Sequence, residues 1–178
     1  MAKLNILPYI QIRPVNDDVV WRQCADLRMR VFVEEQRFPK DVEIDELDDQ
    51  ALHMAVIYSP PEGAEQLSQA MQMAEAGLPT IPTVIGTLRV VPEDSDVAHI
   101  GRVAIDKRFR GCGVGRLLLS ATEQHIQNFN NELGYKTILI GSQYDKVEFY
   151  KKCGYALKGE PYLDCGEPHQ YLFKSIVQ

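Results

Sequence analysis

Gly101–Leu119, GRVAIDKRFRGCGVGRLLL, decides the fold. Val103, Ala104 and Ile105 read as the end of an apolar strand. Arg110, Gly111, Gly113 and Gly115 read as a basic glycine-rich turn, and an amphipathic helix opens at Gly113 or Val114. Glycine has no Cβ, so a backbone rich in it can come close to a ligand. A helix that starts here points its first N–H groups and the positive end of its dipole back at the turn, and both favour an anion. The order strand, turn, helix therefore predicts a site for a diphosphate-bearing molecule.

Spacing narrows the choice. A dinucleotide fingerprint needs a third small residue three positions after its second glycine, and the two possible registers put Arg116 or Leu118 there. A nucleotide-triphosphate loop needs a Gly-Lys-Ser/Thr triplet, which the chain lacks.

Arg110-x-x-Gly113-x-Gly115 instead resembles the pyrophosphate-binding signature of the GNAT superfamily of acyl-CoA-dependent N-acyltransferases. Phe149-Tyr150-Lys151-Lys152-Cys153-Gly154-Tyr155 is similar to that family's Phe-Tyr-x-x-x-Gly-Phe/Tyr segment, whose first tyrosine lies beside the cofactor sulfur. Upstream, Leu27-Arg28, Val31–Gln36, Asp45, Asp48 and His53 resemble the ElaA-like branch, as do Ile100–Val103, Gln143 and Gly166-x-x-His169. The resemblance spans most of the chain outside residues 59–83. It implies a twisted, mainly antiparallel sheet flanked by helices and acetyl-CoA as co-substrate.

Composition agrees with one compact domain over residues 1–178, since 178 residues with 45% hydrophobic content can bury a sizeable core. The net charge of −6 argues against a general nucleic-acid or anionic-membrane surface. Lys107, Arg108, Arg110 and Arg116 nevertheless form a local basic cluster around the turn. Cys24, Cys112, Cys153 and Cys165 have no metal-ligand spacing, so no metal is expected. Pro8, Gln11, Arg13 and Pro14 interrupt the only candidate leader, and no run of about eighteen apolar residues exists. The cytosol is the expected compartment, with the nucleus and a homodimer left open.

Along the chain, Tyr9–Arg13 reads as a strand and Asp17–Val33 as a helix with Val20, Cys24, Leu27 and Val31 on one face. Residues 34–50 carry eight carboxylates and read as an acidic loop or broken helix. Ala51–Tyr58 is the next strand. Ser59–Thr83, bracketed by prolines and glycines around a run of helix formers, reads as an insertion. Strands follow at Val84–Val91 and Ala98–Ile105, then a helix to about Asn130, a strand at Lys136–Gly141 and a helix at Tyr144–Cys153. A closing hairpin pairs Tyr155–Leu157 with Gln170–Lys174. This order predicts a mixed α+β domain on one sheet.

Acyl transfer to an amine needs a held thioester, a neutral amine and a proton for the departing thiolate. Backbone of Val103, Ala104 and Ile105 is expected along the cofactor arm, and the resemblance implies that one N–H there holds the thioester oxygen. Arg110, Gly111, Cys112, Gly113, Val114, Gly115 and Arg116 form the expected phosphate cradle, with Gln143 touching the arm or the acceptor. Cys112 belongs to the cradle, too far from the thioester to be a nucleophile, so direct attack by the amine in a ternary complex is expected. Tyr150 is the expected general acid, because a phenol stays protonated at neutral pH. Glu35, His53 and His169 all remain open as the base. The acidic run could attract a cationic amine, so a polyamine or other cationic amine suits the charge better than an amino sugar phosphate, and an amino sugar stays open as acceptor. Acetylation of protein lysines or N-termini, and a non-catalytic CoA-binding sensor, are the alternatives.

Overall fold

A computed structural model of the chain describes residues 5–62, 67–129 and 134–176. The strands are β1 (Ile10–Pro14), β2 (Leu52–Tyr58), β3 (Thr83–Asp94), β4 (Val97–Ile105), β5 (Thr137–Gln143), β6 (Ala156–Asp164) and β7 (Glu167–Ser175). They form one sheet in the order β1-β2-β3-β4-β5-β7-β6. Only β4 and β5 run parallel, and α3 (Val114–Asn128) makes the crossover between them. The mixed α+β domain on a mainly antiparallel sheet is thus the observed architecture.

Period-2 alternation sorts side chains between two faces. Met54, Val56 and Tyr58 of β2 join Ile85, Leu88, Ile100, Ile138 and Ile140 in a core shared with Leu118, Leu119 and Ile126 of α3. Ala55, Val84 and Ala104 face the other way, against Cys24, Leu27 and Val31. Those three come from α1 (Asp18–Arg28) and the π-helical Met29–Glu35 that continues it. The Asp17 carboxylate accepts from the Val20 amide and caps α1.

The 59–83 segment falls between β2 and β3 and carries α2 (Leu67–Glu75), whose Met73 is fully buried and accepts a hydrogen bond from the Tyr58 hydroxyl, whereas two later elements differ from expectation. Residues 63–66 lie outside the described residues. The 144–153 helix splits into a short 3-10 turn, Tyr144–Lys146, and α4 (Val147–Lys152). The last hairpin is far longer than its apolar ends suggest, because Gly159 (φ 67) and Pro161 sit in an irregularity between Lys158 and Tyr162 rather than ending β6. The Gln170 amide fills that irregularity, donating to the Lys158 and Gly159 carbonyls.

Candidate active site

β4 contains one residue more than its partner β3, since Thr87 faces Ala104 while Arg89 faces Gly101. Arg102 absorbs the excess at φ 52, in the left-handed region that side-chain-bearing residues avoid unless held there. Its guanidinium supplies the hold, donating to the Val42 carbonyl at 2.7 Å, the Glu43 carbonyl at 3.1 Å and the Asp45 carboxylate at 3.1 Å. On the opposite side of β4, pairing with β5 ends at Ile100↔Ile140, although β4 runs on to Ile105 and β5 to Gln143. The strands part at this bulge. A wedge opens between residues 101–105 and 141–143, walled by backbone, and an amide-bearing arm can satisfy such walls as an added strand would.

The turn and α3 stand at the wide end of the wedge. Gly113 caps α3 at φ 87, and no side chain satisfies the helix's first N–H groups. A Cβ on Gly113 would meet nothing within 4 Å, so open space faces those donors. Gly111 is also left-handed, at φ 74. An anion of diphosphate size fits this arrangement of bare amides, dipole and nearby cations. Gly115 also meets a packing demand. A Cβ there would sit 3.1 Å from Phe149 Cζ, so this glycine lets α3 pack against α4.

Of the local cations, Arg108 is committed to Asp106, bonding both carboxylate oxygens at 3.0 and 2.7 Å. Burial alone would raise the Asp106 carboxyl, but Arg108 outweighs it and holds it below the usual range. Arg110 donates to the Ile105 carbonyl at 2.9 Å and pairs with Glu35 at 2.8 Å. Lys107 and Arg116 are exposed. Val114 is buried, leaving only its main chain for the cradle, and Cys112 is half-buried with its thiol 3.8 Å from the Arg110 carbonyl.

Tyr150 on α4 lies on the α3 side of the sheet, edge-on to Phe149 at 5.0 Å and to Tyr155 at 6.2 Å. It is buried, and burial pushes its hydroxyl pKa upward, so the phenol keeps its proton at neutral pH.

Residues 73–157 match the family model described as an acetyltransferase (GNAT) domain. The UPF0039 protein C11D3.02c of Schizosaccharomyces pombe is 30% identical over 146 residues, 80% of this chain and 79% of that protein. The chain belongs to the GNAT acetyltransferase family. A solved Lactobacillus plantarum protein assigned as an N-acetyltransferase superposes with TM-score 0.74 at 28% identity, covering 95% of this chain and 99% of that one. Escherichia coli ElaA shares the fold at TM-score 0.67 and 21% identity, with 93% and 99% covered. A GNAT family acetyltransferase from Elizabethkingia anophelis, solved with acetyl-CoA bound, does so at TM-score 0.61 and 17% identity, with 94% and 98% covered.

The structure scatters the three candidate bases. Glu35 is occupied by Arg110 at the phosphate end. His53, on β2, is two strands away from β4 and buried under Trp21, ring centroids 4.3 Å apart. Its Nε2–H donates to the Asp48 carbonyl, its Nδ1 is a buried acceptor without a partner, and burial lowers its pKa against the opposing pull of Asp48. His169, on β7, is buried with Nδ1–H donating to the Glu167 carbonyl. Gln143 stands at the end of β5, on the wall of the wedge, and donates to the Gln36 side chain at 2.7 Å.

The acidic run divides: Glu34, Asp41, Glu46 and Asp49 are exposed, while three of its carboxylates turn inward. Glu43, Asp45 and Asp48 fold onto Arg28, Arg89 and Arg102. Arg28 is 1% exposed, donating to Glu43 at 2.7 Å and to Asp48 at 2.6 and 3.1 Å. Arg89 forks onto Asp45 at 2.6 and 2.8 Å. Sequence reasoning missed these arginines as partners. The available signal was their setting: Arg28 follows Leu27 on the apolar side of a helix, and Arg89 interrupts an otherwise apolar strand. Among the described residues no group of His, Cys, Asp and Glu could hold a metal, and no helix is long and apolar enough to cross a membrane.

Proposed function

We propose that this chain is an acetyl-CoA-dependent N-acetyltransferase acting by direct attack of a small-molecule primary amine in a ternary complex. One observation carries the reading: the backbone-walled wedge between β4 and β5 leads straight to the uncapped start of α3 at Gly113. Acetyl-CoA supplies an acyl group already activated as a thioester. Gly113 and the first amides of α3 would receive its diphosphate, with Arg116 and Lys107 beside them. The main chain of 103–105 would line its arm, and a backbone N–H at the bulge would polarise the thioester carbonyl. Tyr150 would protonate the departing sulfur.

The acceptor is a small ring-bearing amine, an arylalkylamine or amino sugar, rather than a polyamine. Two observations support this. Three carboxylates of the acidic run, Glu43, Asp45 and Asp48, are already neutralised by three arginines. The corner of the sheet beside the narrow end of the wedge is instead lined by half-buried Tyr162 and Tyr171, stacked at 4.4 Å.

The test is CoASH release from acetyl-CoA across polyamines, amino sugars and their phosphates, amino acids, arylalkylamines and lysine peptides. Turnover confined to ring-bearing amines supports the reading, whereas a polyamine or a lysine peptide as best acceptor overturns the substrate class. Tyr150→Phe should lower kcat by about 10²-fold or more while leaving acetyl-CoA affinity unchanged. An unaltered rate would reduce Tyr150 to packing.

A further inference from the structure

Another histidine, His99, stands where the three candidate bases do not. His99 lies on β4 beside Leu139, one residue before the last β4–β5 pair, and so at the narrow end of the wedge. Its Nδ1 is 2.9 Å from a carboxylate oxygen of Glu93. A carboxylate can only accept, so Nδ1 carries the proton and a neutral ring keeps its lone pair on Nε2. That Nε2 looks across to Gly141, the first β5 residue beyond the pairing, and lies 3.8 Å from where a Cβ would stand. Gly101, across the wedge, has nothing within 4 Å of its own Cβ position. Gly101 therefore leaves its side of the narrow end open, while at Gly141 the absence of a Cβ makes room for the Tyr162 hydroxyl and the Tyr171 ring beside the imidazole.

The surroundings fix the ring. Tyr171 of β7 meets it edge-on at 6.5 Å. The Tyr162 hydroxyl of β6 closes the floor, 2.7 Å from the Gly141 Cβ position, and His169 lies 5.8 Å from the Tyr162 ring. Glu93 and Asp164 are the carboxylates that face this corner, and both oppose ionisation of Tyr162. His99 keeps a side-chain exposure of 25%, so it is open to a small molecule.

We propose that His99 is the general base of the transfer, held in its working tautomer by Glu93 as a positioning residue. The proposal rests on the acetyltransferase reading above. His99 Nε2 takes one proton from the acceptor ammonium. The freed nitrogen lone pair forms the N–C bond to the acetyl carbon, and the electron pair of the breaking C–S bond leaves with sulfur. Tyr150 gives sulfur its proton and recovers the second proton released from nitrogen. His99 returns its own to solvent, so one proton is liberated per amide formed.

The experiment measures kcat/KM against pH for the wild type, His99→Gln and Glu93→Gln, with acetyl-CoA affinity by calorimetry. His99→Gln should lose about 10²- to 10³-fold at neutral pH with unchanged acetyl-CoA affinity. That loss should shrink as pH rises toward the amine's own pKa, where solution supplies the free base. Glu93→Gln should lower kcat about tenfold with acetyl-CoA affinity unchanged, because the ring loses the carboxylate that holds its Nδ1–H tautomer. A uniform loss at every pH in His99→Gln, or an unchanged kcat in Glu93→Gln, overturns the dyad. Failure of the wild type itself to bind acetyl-CoA would overturn the acetyltransferase reading instead.

Discussion

Gly113→Asp is expected to abolish measurable acetyl-CoA binding while leaving the fold intact. The two halves of that result come from opposite responses of one position. For the helix, aspartate is a favourable N-cap, and its charge complements the dipole of α3, which has no side-chain cap of its own. Gly113 has φ 87, so a side chain there costs about 1–2 kcal/mol of backbone strain, but no clash accompanies it because the Cβ position is open. The net effect on stability is small. For the ligand, the carboxylate occupies the space a diphosphate needs and repels it by roughly 4 kcal/mol per pair of unit charges at about 4 Å and an effective dielectric of about 20. That corresponds to about 10³-fold per charge pair. Calorimetry with acetyl-CoA and a thermal melt of the same sample check both halves, with Gly113→Ala as the strain-only control. Retained affinity would place the diphosphate elsewhere.

Much of this site is legible in the sequence, for reasons that differ from residue to residue. Local rules govern the strand–turn–helix unit, so the Gly113 cap and the start of α3 could be read from spacing alone. Tyr150 comes from a segment equally local. The partners of the 41–49 carboxylates could not be read that way, because charge pairing is long-range: Asp45 meets Arg89 across 44 positions and Arg102 across 57. Composition shows an acidic run, and only the fold shows that three buried or half-buried arginines take up Glu43, Asp45 and Asp48. The bulge at Arg102 is invisible for a related reason, since nothing in Ile-Gly-Arg-Val announces a residue held at positive φ by distant carbonyls. Gly115 is a subtler case. Its motif position suggests a phosphate contact, and the fold adds a packing demand from Phe149 that spacing alone does not announce. His99 was overlooked because one histidine on an alternating strand carries no signal until Glu93 and Gly141 are brought beside it.

Arg28→Met should cost about 3–5 kcal/mol of stability, which for a chain of this size lowers Tm by roughly 6–20 °C. Methionine fills the volume but leaves Glu43 and Asp48 buried, at 4% and 6% exposure, without their main cation. The pH dependence identifies the cause. Burial would raise the Asp48 carboxyl, but hydrogen bonds from Arg28, the Asp45 amide and Arg89 override it and hold the pKa at about 2, against 3.8 for the free group. A depressed folded pKa contributes stability that is present above 3.8 and lost as pH falls toward 2, worth about 2 kcal/mol. Glu43 has the opposite sign, since burial raises it despite Arg28 and Arg102, so acid relieves rather than removes its contribution. In Arg28→Met both carboxyls sit in an apolar site without that guanidinium and protonate at higher pH. The Tm gap between wild type and variant should therefore narrow as pH falls from 6 toward 3, and a gap independent of pH would mean the loss is one of packing. The same substitution reaches the wedge, because Glu43 and Asp45 are the groups that pin Arg102 at the bulge where β4 leaves β5. Loosening that pin should weaken acetyl-CoA binding in the variant even at temperatures where it remains folded, which ties the buried ion network to the geometry of the site rather than to stability alone.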